Sequence, residues 1–202
     1  EAYGVYADTS IGNFTNSGNI TASANAVGNG TWVQAYAFGV SADSIGNFTN
    51  SDTGSISASA NAIGDDAEAY GVYAGVSIGN FTNSNTGSIS ASASATGGDA
   101  WAYGVGAGSI DNFTNSGSIS VNATGKNAGA AGVYADNYID NFINNGTISA
   151  NATGKNAGAA GVAGLSYIGN FINKSGSITA IANATGEANA VGVLAGYPVP
   201  GN

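Results

Sequence analysis

One phrase, Ile-x-Asn-Phe-x-Asn, recurs six times along the chain and constrains the architecture more than any other feature. Its Ile stands at Ile11, Ile45, Ile78, Ile110, Ile139 and Ile168, and its Phe at Phe14, Phe48, Phe81, Phe113, Phe142 and Phe171. Asn13, Asn47, Asn80, Asn112, Asn141 and Asn170 directly precede each Phe, and a second Asn follows two residues after it, from Asn16 to Asn173. Self-similarity at roughly 29 to 36 residues marks a repeat array. Each unit of such an array buries its face against the neighbouring units, with no single centre.

Two companion segments accompany the phrase. A Gly-Val pair returns at Gly4, Gly39, Gly71, Gly104, Gly132, Gly161 and Gly192, preceded by Tyr3, Phe38, Tyr70, Tyr103, Ala131, Ala160 or Val191. Strand alternation puts Tyr3, Val5 and Ala7 on one face and Gly4 and Tyr6 on the other, so the residue before Gly reads as interior. The third segment is Ile20-Thr21-Ala22-Ser23-Ala24, repeated around Ile56, Ile89, Ile119, Ile148 and Ile178. Here Ile and Ala alternate with Ser or Thr, the pattern of a half-buried strand. Turn residues such as Ser17-Gly18, Gly64-Asp65-Asp66 and Gly97-Gly98-Asp99 separate the segments.

Three short strands per repeat and no helical period predict an all-β fold, a parallel β-solenoid (β-helix) of about six coils. A propeller would want four strands per blade. The solenoid is expected over residues 1–197, with a Pro-containing tail at 198–202. Stacking would place the six Phe in one interior column and the six Ile in a second. Asn13 and its equivalents would form an amide ladder at a bend.

Composition narrows the function. The chain has 7% charged and 43% apolar residues, a combination that packs and does not stay disordered. It has no Cys, His or Arg, only Lys126, Lys155 and Lys174 as cations, and a net charge of -9. That excludes disulfides and Cys-based metal sites, and disfavours nucleic acid and anionic membrane surfaces as partners. No apolar run reaches the length of a membrane span. A start at Glu1 without any Met reads as a processed chain or an excised segment, its export signal outside the sequence.

The phrases Ile-Gly-Asn-Phe-Thr-Asn-Ser-Gly-x-Ile-Ser-Ala and Ala-Tyr-Gly-Val-Tyr-Ala make the chain resemble the low-complexity repeats of bacterial autotransporter passenger domains. The resemblance covers essentially the whole chain. It implies an extracellular or cell-surface β-helix, often an adhesin. Proteins of that family carry a C-terminal outer-membrane β-barrel, and nothing in these residues forms one.

Few residues suggest chemistry. Asp111 and Asp140 replace the Gly of the phrase in consecutive repeats, which would set two carboxyls about one strand spacing apart, near the ~5 Å of a retaining glycosidase pair. With no Arg or His, and a flat Ser/Ala face offering no cleft, they read as a solvated edge, and the chain as a non-enzyme needing no cofactor. Asp65, Asp66 and Glu68, with Asp99 one repeat later, are weak calcium candidates. Among many Asn-x-Ser/Thr sequons, Asn29, Asn122, Asn151 and Asn183 are the glycosylation candidates. Thr21, Ser23, Ser57, Ser59, Ser90, Ser92 and Ser120 form an outward hydroxyl column, which alternation alone predicts.

The expectation for function is structural: a subunit of an extracellular filament or surface fibre, a homopolymer joined head to tail through open solenoid ends. Tyr3, Val5, Val191 and Val193 would form the joint, with Pro198 and Pro200 as a clasp. The alternative is a segment of a monomeric autotransporter-type adhesin, with Tyr6, Tyr73 and Tyr134 as contacts to host or abiotic surfaces or glycans.

Overall fold

A computed structural model describes residues 1–28 and 33–196. Its elements are β1 (Ala2–Tyr6), β2 (Ser10–Asn16), β3 (Asn19–Val27), β4 (Ala35–Asn50), β5 (Ser55–Ile63), β6 (Ala67–Asn83) and β7 (Ser88–Thr96). They continue as β8 (Ala100–Asn115), β9 (Ser118–Ala135), β10 (Tyr138–Asn144), β11 (Thr147–Gly164), β12 (Tyr167–Asn173), β13 (Ser177–Ala184) and β14 (Ala188–Ala195). Every pairing between them is parallel, and each strand pairs with its equivalent one coil on. The chain is a parallel β-solenoid of about six turns.

Like stacks on like. Ile11 lies beside Ile45, Phe14 beside Phe48, and the same register holds through Ile139–Ile168 and Phe142–Phe171. The Phe rings form a column with centroids 4.8–5.1 Å apart and planes within 12° of parallel. Ile and Ala of the third segment point inward in every inner coil, and the Ser/Thr column lies outside, with Thr21, Ser57, Ser90 and Ser120 in register.

The coil has three faces, called here the Gly-Val, Phe and Ser faces, but the strands are longer than three short pieces per coil. β4, β6 and β8 each run from the Gly-Val face into the Phe face, and β9 and β11 run from the Ser face into the Gly-Val face. Two corners of the early coils instead turn at Gly64 and Gly97, whose φ angles of +145° and +103° lie where only glycine is at ease. The spacing between equivalent Asn residues contracts from 34 to 29 along the chain. Register shifts at Ala42/Ser44 and Ala74/Ser77 absorb part of that difference.

The Gly-Val face corrects the alternation argument. Ala37 and Val40 are both fully buried although three residues apart, and Phe38 between them faces outward. The alternation slips one residue at Gly39. A Cβ on Gly39 would lie 2.5 Å from Cγ2 of Ile56, a core residue, so this glycine points inward. Two consecutive positions can face the core only when one of them has no side chain. Tyr3, Phe38, Tyr70 and Tyr103 therefore form an external aromatic column, with centroids 4.8–5.2 Å apart.

Candidate functional site

Two amide ladders bracket the Phe column. The outer one is the expected set: Asn47 donates to Asn13, Asn80 to Asn47, Asn112 to Asn80, Asn141 to Asn112 and Asn170 to Asn141, at 2.7–3.0 Å. All five bonds are exposed. The inner ladder is made by the second Asn of the phrase and is buried from Asn16 to Asn144, with Asn173 exposed at its end. Asn16 donates to Asn50, Asn50 to Asn83, Asn83 to Asn115, Asn115 to Asn144 and Asn144 to Asn173, at 2.8–2.9 Å. Each inner amide from Asn16 to Asn144 also donates to the carbonyl of the turn that follows it, as Asn50 does to Gly54 and Asn83 to Gly87. The two ladders run with opposite polarity. Sequence reading assigned a ladder to the outer set alone, although the inner Asn recurs as regularly and always precedes a Gly turn.

The external aromatics form the most distinctive surface. Tyr73 tilts against Tyr70 and Phe38, and Tyr134 against Tyr103. Tyr70 donates a 2.6 Å hydrogen bond to Oε1 of Glu68. Burial first, then the Glu68 carboxylate, pushes the Tyr70 phenol far above its ordinary value, and the same two causes raise Tyr103. Unfolding releases these phenols to ionise near pH 10 while the folded protein still holds their protons. Their contribution to stability is thus complete below about pH 10 and lost as pH rises further. Melting temperatures measured between pH 8 and pH 12 are expected to stay level and then fall, with a smaller fall for Tyr70→Phe.

This column stops at the fourth coil. Beyond Tyr103 the outward positions hold Ala131 and Ala160, and beyond Trp101 they hold Gly129 and Gly158. A groove of about 500 Å³ opens over these small residues. Trp101 and Tyr103 close it at one end, and Val191 and Leu194 lie at the other. The indole leans over Gly129, where a Cβ would fall 2.2 Å from Cε3 of Trp101. Along one side runs a polar column: Asn127 donates to Asp99 and Asn156 to Asn127, both at 2.8 Å, and the Glu187 amide donates to Asn156 at 3.3 Å. The signal for this groove was the shrinkage from Tyr103 to Ala131 and Ala160, hidden while those positions were read as interior.

The calcium candidates do not combine into an oxygen site. Among the described residues no group of three His, Cys, Asp or Glu side chains is placed to share a cation. Protein donors take these carboxylates one by one: Val33 N–H bonds Asp65, Gln34 and the Asp99 N–H bond Asp66, and Tyr70 bonds Glu68. Asp111 and Asp140 sit at equivalent exposed positions on adjacent coils, where Asp111 accepts from Tyr138 and Asp140 from Asn141. Neither lines the groove beside Trp101. Asn122 and Asn183 are exposed and Asn151 half-buried, all within strands of the Ser face, not in loops. Asn29, Pro198 and Pro200 lie outside the described residues.

No helix among the described residues is long and apolar enough to cross a membrane. Neither a protein-family model, nor a curated protein, nor a solved structure matches the chain.

Proposed function

We propose that the chain is a structural subunit of an extracellular filament or cell-surface fibre, assembling head to tail through its end coils. The observation that carries this reading is the like-on-like stacking of the coils, Phe14 on Phe48 through to Phe142 on Phe171, which a second copy can continue. Phe113 is 1% exposed in an inner coil, whereas Phe171 in the last is 37% exposed, with Ile172, Ile181, Val191 and Val193 beside it in the open. At the other end Ile11, Phe14 and Ile20 are only partly buried, and Tyr3 is exposed. Unpaired strand edges with apolar residues on them template association.

The ladders favour one orientation. In a head-to-tail joint Asn13 of one copy would donate to Asn170 of the next, and Asn173 of that copy to Asn16, so both polarities continue. Joining two like ends would oppose donor to donor in one ladder and acceptor to acceptor in the other.

Among the described residues the Gly-Val face has seven strands, β1, β4, β6, β8, β9, β11 and β14, whereas the Phe and Ser faces have six each. A joint that leaves no gap on those two faces seats β14 where the next copy holds β1. The sequences match, Ala2-Tyr3-Gly4-Val5 against Ala190-Val191-Gly192-Val193. The joint is therefore a strand exchange, with the five-residue β1 giving way. The resemblance to passenger repeats supports placing the fibre outside the cell. Sedimentation of the pure chain over a range of concentrations is expected to show growing polymers, and faster growth when residues 1–7 are deleted. A monomer at every concentration, for both forms, overturns the reading.

A further inference from the structure

We propose that the groove beside Trp101 binds a neutral polysaccharide, with sugar rings stacked on the aromatic wall and their hydroxyls bonded to the Asn127–Asn156 column. The inference does not rest on filament formation. Its first ground is shape. The groove runs parallel to the solenoid axis across β8, β9, β11 and β14 of the Gly-Val face, three strand spacings or roughly 14 Å, the length of a short oligosaccharide. Its volume of about 500 Å³ is that of a small-ligand site.

The second ground is chemistry. A pyranose has an apolar face of C–H bonds and a rim of hydroxyls that both donate and accept. Trp101 is 41% exposed and, with Tyr103, offers aromatic surface to the first. The polar column answers the second. Each carboxamide carries two N–H donors and a carbonyl with two lone pairs. Asn156 spends one N–H on Asn127, and Asn127 spends one on Asp99.

Charge selects among sugars. The lining includes Glu187 and no Lys, on a chain of net charge -9, so uronic acids and sulfated sugars are repelled. A peptide strand is a poorer occupant, because extended peptides dock on a free sheet edge. β9 and β11, which supply the floor, are paired on both sides.

The test is titration calorimetry of the intact chain with cello-, laminari-, manno- and chitohexaose, and with hexagalacturonic acid as the charged comparison. Two variants separate binding from folding. Trp101→Ala removes the stacking wall. Gly158→Tyr fills the floor, at a position where a Cβ meets no atom within 4 Å. At least one neutral hexasaccharide is expected to bind, with affinity reduced about tenfold or more in Trp101→Ala, as loss of a stacked aromatic implies, and in Gly158→Tyr, whose ring occupies the floor. Absence of binding by every neutral sugar, equal binding of hexagalacturonic acid, or binding unchanged in the variants each overturns the proposal. So does binding seen only after residues 197–202 are deleted, since the chain's own tail would then be the occupant.

Discussion

Replacing Asn83 by Ala is expected to destabilise the solenoid by about 3–4 kcal/mol. Asn83 is fully buried and holds three oxygens at once, Oδ1 of Asn115 at 2.8 Å, the Gly87 carbonyl at 3.1 Å and the Ser118 carbonyl at 3.3 Å, while accepting from Asn50 at 2.9 Å. Ala leaves a donor of Asn50 and these acceptors inside the protein, where no water replaces the lost amide. Asn80→Ala removes an amide with two similar ladder bonds, to Asn47 and from Asn112, but on the exposed side. Water takes its place, and the expected cost is below about 1 kcal/mol. Urea midpoints of the two variants provide the comparison. Equal losses would show that burial does not decide the worth of a ladder bond here.

The second large effect is expected at Gly71. Its Cβ would lie 2.5 Å from Cγ2 of Ile89 and 2.6 Å from the carbonyl oxygen of Gly104. Neither can retreat: Ile89 is fully buried, and Gly104 is backbone of the next coil. Gly71→Ala should therefore cost about 3 kcal/mol or more, at the upper end of overpacking effects. Gly158→Ala is the control, because a Cβ there, in an inner coil, meets nothing within 4 Å. It is expected to be neutral or to stabilise by up to about 1 kcal/mol, through a less flexible unfolded chain. Thermal melts of the two variants check the pair. A tolerated alanine at Gly71 would contradict the inward direction assigned to that glycine.

Gly39, the equivalent of Gly71 one coil earlier, explains what the sequence did and did not disclose. The stacking register was readable because identical residues recur, and a parallel solenoid is the arrangement that sets Phe48 beside Phe81 and Ile56 beside Ile89. Alternation also read the Ser face correctly, since Ile56, Ala58 and Ala60 lie on one regular strand. It failed at the Gly-Val corner, because the rule of two assumes an unbent strand. The slip at Gly39 turned Phe38 outward, and with it went the external aromatic column and the groove. The inner ladder was missed for a different reason. Sequence shows that Asn83 recurs but not whether its amide is in water, and burial is what separates it from Asn80. The carboxylates of Asp65, Asp66, Glu68 and Asp99 looked available for a cation because their donors are backbone, tyrosine and side-chain amide groups that no motif marks.

A repeat that stacks on its own copy within a chain has the means to stack between chains. Cryo-electron microscopy of filaments grown from the pure protein measures this directly through the rise per subunit. Strand exchange at the joint predicts about 29 Å, six interstrand spacings of ~4.8 Å, because β14 replaces β1 and adds no coil. Addition of intact chains without exchange would give about 34 Å, seven spacings, and would contradict the joint described here. Dispersed rods of a single chain's length at every concentration would contradict assembly itself.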